Sequence, residues 1–196
     1  MNLPTERLLT SPRLTLRPIV PGDEALLWPG VADPKVAALM AWQPHTDIAQ
    51  TREFVANELN RGEGGQGVSW IVLRGSAFCG VFSLIGLRRT HRALTYDSAE
   101  LAYWAAPAMQ RQGFMTEAGR AVLGFAFGAA ALHKLHVSHF AGNAASRALI
   151  ERLGFRHVGI QREEFRKAGV WHDHWLYELL ATEHAAMANA SKDAIR

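Results

Sequence analysis

One cysteine, Cys79, in 196 residues leaves no partner for an internal disulfide. It sits in the strand-like run "AFCGVFSLIGL" and reads as a small buried residue rather than a nucleophile. No apolar run approaches the roughly 20 residues that span a bilayer. The N-terminal "MNLPTERLLTSPRL" has charges and prolines where a signal peptide needs an apolar core. A cytoplasmic protein without a membrane partner is therefore expected. Blocks of consecutive basic residues are also missing. The densest cluster, "LRRTHR" (Leu87 to Arg92), reads as a hairpin turn, so nucleic acid is not an expected partner. Neither an internal repeat nor a domain-dividing linker is present.

What the chain does contain is an ordinary globular mix, 48% hydrophobic and 20% charged. Its length suits one domain, with a net charge of +3 that suits an anionic ligand. Residues 1–182 read as that domain and 183–196 as a polar, alanine-rich tail with helical character. "RLTLRPI" alternates as a strand ended by Pro18. "PGDEALLWPGVADPKVAALM" gives two short helical pieces. "DIAQTREFVANELNRG" repeats at helical spacing, with Gly62 as its stop. Strands follow at "VSWIVLR", "AFCGVFSLIGLRR" and "SAELAYWA". After Met115 the period changes: Ala118, Ala121, Val122, Phe125 and Ala129 share a helical face. The strand "KLHVSHF", a helix from Asn143 to Arg152, and the strands "FRHVGIQ" and "VWHDHWLYELL" complete the order. This describes an α/β fold, one domain with a mixed, mostly antiparallel sheet of about seven strands flanked by helices.

Two motifs invite a dinucleotide or metal reading and fail on context. "GEGGQG" (Gly62 to Gly67) follows a helix and precedes a strand, the reverse of the strand–loop–helix order that a phosphate-binding fingerprint needs. His133, His136 and His139 are spaced by three, which aligns side chains on a helix but not on a strand, and no metal is expected.

The segment "MQRQGFMTEAGR" (Met109 to Arg120) carries the strongest chemistry. Free N–H groups at a helix start, reinforced by the helix dipole, suit a pyrophosphate. Gly113 permits close backbone approach and positive φ, and Arg111 adds a charge. "AELAYWAAPAMQRQGFMTEA", followed at fitting distance by "NAASRALIERLGF", resembles the GNAT superfamily of N-acetyltransferases. The closer likeness is to its ribosomal-protein-alanine (Rim-type) branch, which acetylates protein N-termini. The strong part spans Ser98 to Leu180, and "RLTLRP" and "AWQPHTDIAQTREFV" extend it over most of the chain. The family pattern [Q/R]-x-x-G-x-[G/A] falls on Gln110, Arg111, Gln112, Gly113, Phe114 and Met115, with Met115 departing from the small residue it asks for.

The resemblance implies acetyl-CoA as cosubstrate, gripped by residues 110–116, Thr116 included. It implies a sheet splayed between its fourth and fifth strands, with the coenzyme arm bonding the exposed edge at Tyr103, Trp104 and Ala105. Asn143, by itself a good helix cap, would bond the pantetheine arm, and Ser146 would lie near the sulfur and protonate the leaving thiolate. Tyr103 is the alternative acid, although a regular strand puts it and Glu100 on opposite faces. Glu100 and Glu164 (beside Glu163) are the candidate bases. Trp42 and Trp171 are placed at the acceptor groove.

The acceptor implied is an amine. An α-amino group with a pKa of about 7.7–8.0 is partly neutral near neutral pH, whereas a lysine near 10.4 is neutral about one time in a thousand. A protein N-terminus therefore needs a base least and is the first expectation. A small amine (amino acid, polyamine or antibiotic) is the alternative, and a non-catalytic acyl-CoA sensor the reading from another class. Monomer and homodimer are both compatible with the sequence.

Overall fold

The computed structural model describes residues 3–193. One sheet is built from β1 (Leu9–Thr10), β2 (Thr15–Pro18), β3 (Val68–Arg74), β4 (Ala77–His91), β5 (Leu94–Ala105), β6 (Lys134–Phe140), β7 (Arg156–Lys167) and β8 (Val170–Leu180). The helices are α1 (Glu24–Val31), α2 (Pro34–Ala37), α3 (Ile48–Glu63), α4 (Phe114–Phe127), α5 (Ala144–Arg152) and α6 (Ala181–Asp193). Spatial order is β1-β2-β3-β4-β5-β6-β8-β7, antiparallel throughout except for β5 beside β6. The sheet thus has eight strands, because the two-residue β1 is too short to show an alternation in sequence.

Alternation along the central strands feeds two cores. Trp70, Val72, Phe82, Leu84 and Leu101 point to the face covered by α4 and α5. Ile71, Val81 and Trp104 point to the other face, where Leu27 of α1, Val36 of α2 and Val55 of α3 meet them. The result is three layers, helices on both faces of a mixed sheet. No helix among the described residues is long and apolar enough to cross a membrane.

Local chemistry accounts for most element ends. Asp47 and Gln50 form a capping box at the start of α3. That helix runs one residue past Gly62 and is closed by Gly64, so "GEGGQG" is a helix end and the turn into β3. Phe114, Met115, Ala118, Val122, Phe125 and Ala126 bury one face of α4. Ala129 does not share that face. It lies beyond the helix end, exposed. "LRRTHR" is mostly strand rather than turn, since β4 continues to His91. There Arg88 covers the Tyr96 ring and Arg89 pairs with Asp97. The tail helix α6 packs through His184 on Phe127 and through the Arg156–Glu183 ion pair. Cys79 is fully buried, as expected of a packing residue.

The pairing of β5 with β6 sets the geometry of everything that follows. It covers only Ser98–Lys134, Ala99–Leu135 and Glu100–His136. Beyond these pairs β5 runs on to Ala105 beside β4, and β6 runs on to Phe140 beside β8, with a gap between them. Trp104 holds β5 in this path. It meets Trp42 and Phe78 edge-on and lies so close to Gly30 of α1 that a Cβ there would sit 2.3 Å from its ring.

Two glycines separate packing from propensity. Gly80 has φ +153°, and an added Cβ would lie 2.3 Å from the Trp104 carbonyl oxygen. Gly80→Ala should therefore cost about 3 kcal/mol in denaturant unfolding, from backbone strain plus overpacking. Gly124 of α4 has nothing within 4 Å of such a Cβ. Gly124→Ala should raise stability by up to about 1 kcal/mol through helix propensity, measured in the same unfolding series.

Candidate active site

Two clefts open on either side of the gap between β5 and β6, and they share a wall. The first, about 580 Å³, runs from the start of α4 to α5. It is lined by every residue expected to hold the coenzyme except Gln112: Tyr103, Trp104, Ala105, Gln110, Arg111, Gly113, Phe114, Met115, Thr116, Asn143 and Ser146. Gln112 is exposed and its amide donates to the Ala108 carbonyl at 2.9 Å.

The start of α4 presents donors that could hold an anion. Gly113 is its N-cap at φ +79°, a conformation that disfavours side chains, and Arg111 is also left-handed at φ +59°. Among the described residues, the main-chain N–H groups of residues 111–116 donate to no protein acceptor. They are the orphan donors of a helix start together with the turn before it. Their fit to a pyrophosphate is reinforced by Arg111 and Arg152, which both line the cleft. The motif reading missed Arg13. Its guanidinium lies over the Phe114 ring at 4.8 Å, and its Nε donates to Glu117 at 2.6 Å. Arg74 covers the same ring at 5.3 Å. Neither arginine belongs to a local pattern, because each comes from a part of the chain distant from α4. Met115, large where the family pattern is small, is accommodated by Gly80, over which its sulfur packs.

At the shared wall Asn143 Oδ1 accepts from the Ser146 N–H at 3.0 Å and so caps α5. Its amide nitrogen remains to serve a ligand, so capping and ligand contact use different atoms of one side chain. Ser146 Oγ lies 2.7 Å from the Tyr103 hydroxyl. The two candidate acids are therefore a single hydrogen-bonded pair. Burial pushes the Tyr103 phenol well above its ordinary value, which keeps its proton on the oxygen.

The second cleft, about 570 Å³, lies on the other side of that pair. Glu100 lines it, with no hydrogen-bond or ion-pair partner among the described residues, and burial raises its carboxyl above the ordinary range. Glu100 and Tyr103 do leave opposite faces of β5. The strand separation lets both reach the same space, as both line this cleft. Trp42 is also in the wall. Trp171 is not. It is 55% exposed near the tip of the β7–β8 hairpin, away from the groove where it was expected. Glu164 is likewise exposed and outside the lining, beside an irregular stretch of β7 where Glu163 adopts φ +50° and its N–H donates to Asp173. Its carboxylate favours the charged form of His174, against the burial that shifts that imidazole toward the neutral form.

Lys167 was not legible in the sequence. Its ammonium donates to the carbonyls of Ala37 (2.5 Å), Trp42 (3.0 Å) and Met40. These contacts tie the β7–β8 hairpin to the loop after α2, whose Leu39 and Met40 line both clefts. No three His, Cys, Asp or Glu side chains among the described residues converge as a metal ligand set.

The phosphate-loop geometry has a direct consequence. Gly113→Val places a β-branched residue at φ +79°, strained by about 1–3 kcal/mol, in the middle of the free N–H groups. Coenzyme A affinity, measured by calorimetry, should fall at least about 100-fold while the far-UV spectrum is kept; unchanged affinity would remove this loop from the site.

The chain resembles known proteins over most of its length. Residues 13–156 match the family model described as an acetyltransferase (GNAT) domain. A Bacillus subtilis protein named "Putative ribosomal N-acetyltransferase YdaF" is 32% identical over 117 residues, 60% of this chain and 61% of that one. The chain thus spans less than two thirds of that relative. Among solved structures, a RimL ribosomal L7/L12 alpha-N-protein acetyltransferase in complex with coenzyme A superposes with a TM-score of 0.80 at 20% identity, covering 89% of this chain and 98% of that one. A spermidine N-acetyltransferase from Vibrio cholerae in complex with CoA and spermine gives 0.78 at 21%, covering 89% and 99%. At such identities these likenesses speak for the fold. Taken with the match over residues 13–156, they establish that the chain belongs to the GNAT acetyltransferase family, whose cosubstrate is acetyl-CoA.

Proposed function

We propose that the protein transfers the acetyl group of acetyl-CoA directly to a protein N-terminal α-amine, without an acyl-enzyme. The observation that carries this reading is the meeting of the two clefts at Tyr103, Asn143 and Ser146. A thioester entering from the α4 side and an amine entering from the other side come face to face there. Attack by the amine forms the N–C bond, and the C–S bond breaks. The amine proton leaves toward Glu100, directly or through water, and the thiolate takes a proton from the Tyr103–Ser146 pair.

The charges of the acceptor cleft favour a monoamine. Its two carboxylates are Glu58, already paired with Arg61, and Glu100; Arg61, Arg166 and Lys167 are its cations. A polyamine brings several ammonium groups and would meet a wall with too few free carboxylates. A peptide N-terminus brings one, already partly neutral. A weak base such as a carboxylate is enough for it.

The test is thiol release from acetyl-CoA with hexapeptides beginning with serine, alanine or methionine, with spermidine and with free amino acids. Turnover with the peptides supports the reading, and turnover with spermidine alone replaces it by the small-amine function. Coenzyme binding without thiol release from any amine would make the chain a binding module. Because Glu100 must be ionised to accept a proton, and burial raises its carboxyl, the rate should climb as pH rises through that elevated value. Glu100→Gln should abolish that limb and lower kcat/KM by about 10- to 100-fold, with KM for acetyl-CoA unchanged. A pH profile identical to the wild type would leave the amine and solvent water as the whole proton account.

A further inference from the structure

Beneath the acceptor cleft lies a buried polar chain that no motif predicts. Arg61 Nη1 contacts both carboxylate oxygens of Glu58, at 2.6 and 2.7 Å. Ser69 Oγ donates to Glu58, and Ser69 Oγ lies 2.7 Å from Ser83 Oγ. Glu58, Ser69 and Ser83 are all buried, and Ser83 and Glu58 reach the cleft lining. A hydrophobic face would cover α3 and β3 as well, so three aligned polar groups call for a reason.

Their donor directions are forced. A carboxylate paired with a guanidinium offers only lone pairs. Ser69 must therefore use its one proton on Glu58. Between the two serines Ser83 then has to donate and Ser69 accept. That consumes the only proton of Ser83, leaving its lone pairs to the cleft. The register places this acceptor. Ser83 pairs with Ala102 and Ile85 with Glu100, so Ser83 and Glu100 are diagonal neighbours on one face of the sheet. Diagonal positions lie about 7–8 Å apart at the backbone, with Ala102 and Ile85 at the other two corners and all four residues in the cleft lining.

We infer that Ser83, polarised by Ser69 and Glu58, is a binding residue for the acceptor amine, taking one N–H while Glu100 takes another. Two acceptors on one nitrogen hold its lone pair toward the gap between β5 and β6. The same floor rejects a ligand that presents a carboxylate or carbonyl oxygen at that point, since Ser83 has no proton left to give. Ser69 and Glu58 are positioning residues that act through Ser83. This assignment rests on the N-acetyltransferase reading and adds the floor of its amine site.

Steady-state kinetics with acetyl-CoA and a serine-leading hexapeptide, or spermidine if that is the amine turned over, test it. Ser83→Ala should raise KM for the amine about tenfold, the worth of one hydrogen bond to a polar ligand, and leave KM for acetyl-CoA unchanged. Ser69→Ala, whose site is not in the cleft lining, should raise the same KM by freeing Ser83 to turn and donate. The double variant should be no worse than Ser83→Ala alone, because the residues act as one chain. An unchanged amine KM in Ser83→Ala, an equal loss for both substrates, or additive losses in the double variant would each overturn the assignment. Thermal midpoints and coenzyme affinity of both variants separate these outcomes from a folding defect. Wild-type turnover with unaltered variants defeats this inference alone, whereas wild type inert toward every amine defeats the transferase reading and this inference with it.

Discussion

Two parallel strands that hydrogen-bond for three residues and then part are the constraint on which the site depends. A parallel pair that stayed closed would satisfy its own edges and leave no path through the sheet. Here each strand is held by its other neighbour, β5 by β4 and β6 by β8, so the gap does not cost the sheet its continuity. Trp104 fixes one side of the gap by packing on α1, Phe78 and Trp42. The Tyr103–Ser146 hydrogen bond ties that side to the start of α5, at the depth where the two clefts meet. An opening bounded this way is part of the native packing.

The two sides of the opening differ in their polar groups. The side of α4 gathers open main-chain donors with Arg111 and Arg152, a set suited to phosphates. The cleft on the other side is lined by Glu100 and by Glu58 and Ser83 of the buried polar chain. Between them lies a buried phenol that keeps its proton. Lys167 adds closure, since its three carbonyl contacts hold the loop that forms part of both walls.

Features whose cause is local could be read from the sequence. Asn143 is legible because a cap answers the N–H groups three residues on, and Gly113 because only a few residues accept its backbone angle. The strands "VSWIVLR" and "VWHDHWLYELL" are legible through strand chemistry and turn boundaries, and they appear with those bounds. Features with non-local causes were not. Arg13, in the turn after β1, and Arg74, at the end of β3, reach Phe114 from far away in the chain, and Lys167 meets carbonyls about 130 residues earlier. Trp171 was placed at the acceptor groove on hairpin position alone. The tilt of a hairpin tip depends on register shifts in β7 that no alternation rule predicts.

The chain by itself determined the order of helices and strands, the left-handed turn at Gly113 and the capping asparagine, because backbone conformation and hydrogen bonding within a few residues decide these. Only the tertiary structure decided that Tyr103 and Ser146 share a hydrogen bond, that Glu100 lines a cleft with no partner among the described residues, and that Glu58, Ser69 and Ser83 join in one buried polar chain. Those relations join residues from different strands and helices. Their chemistry arises from burial and mutual distance, quantities that exist only once the sheet has formed and its two middle strands have separated.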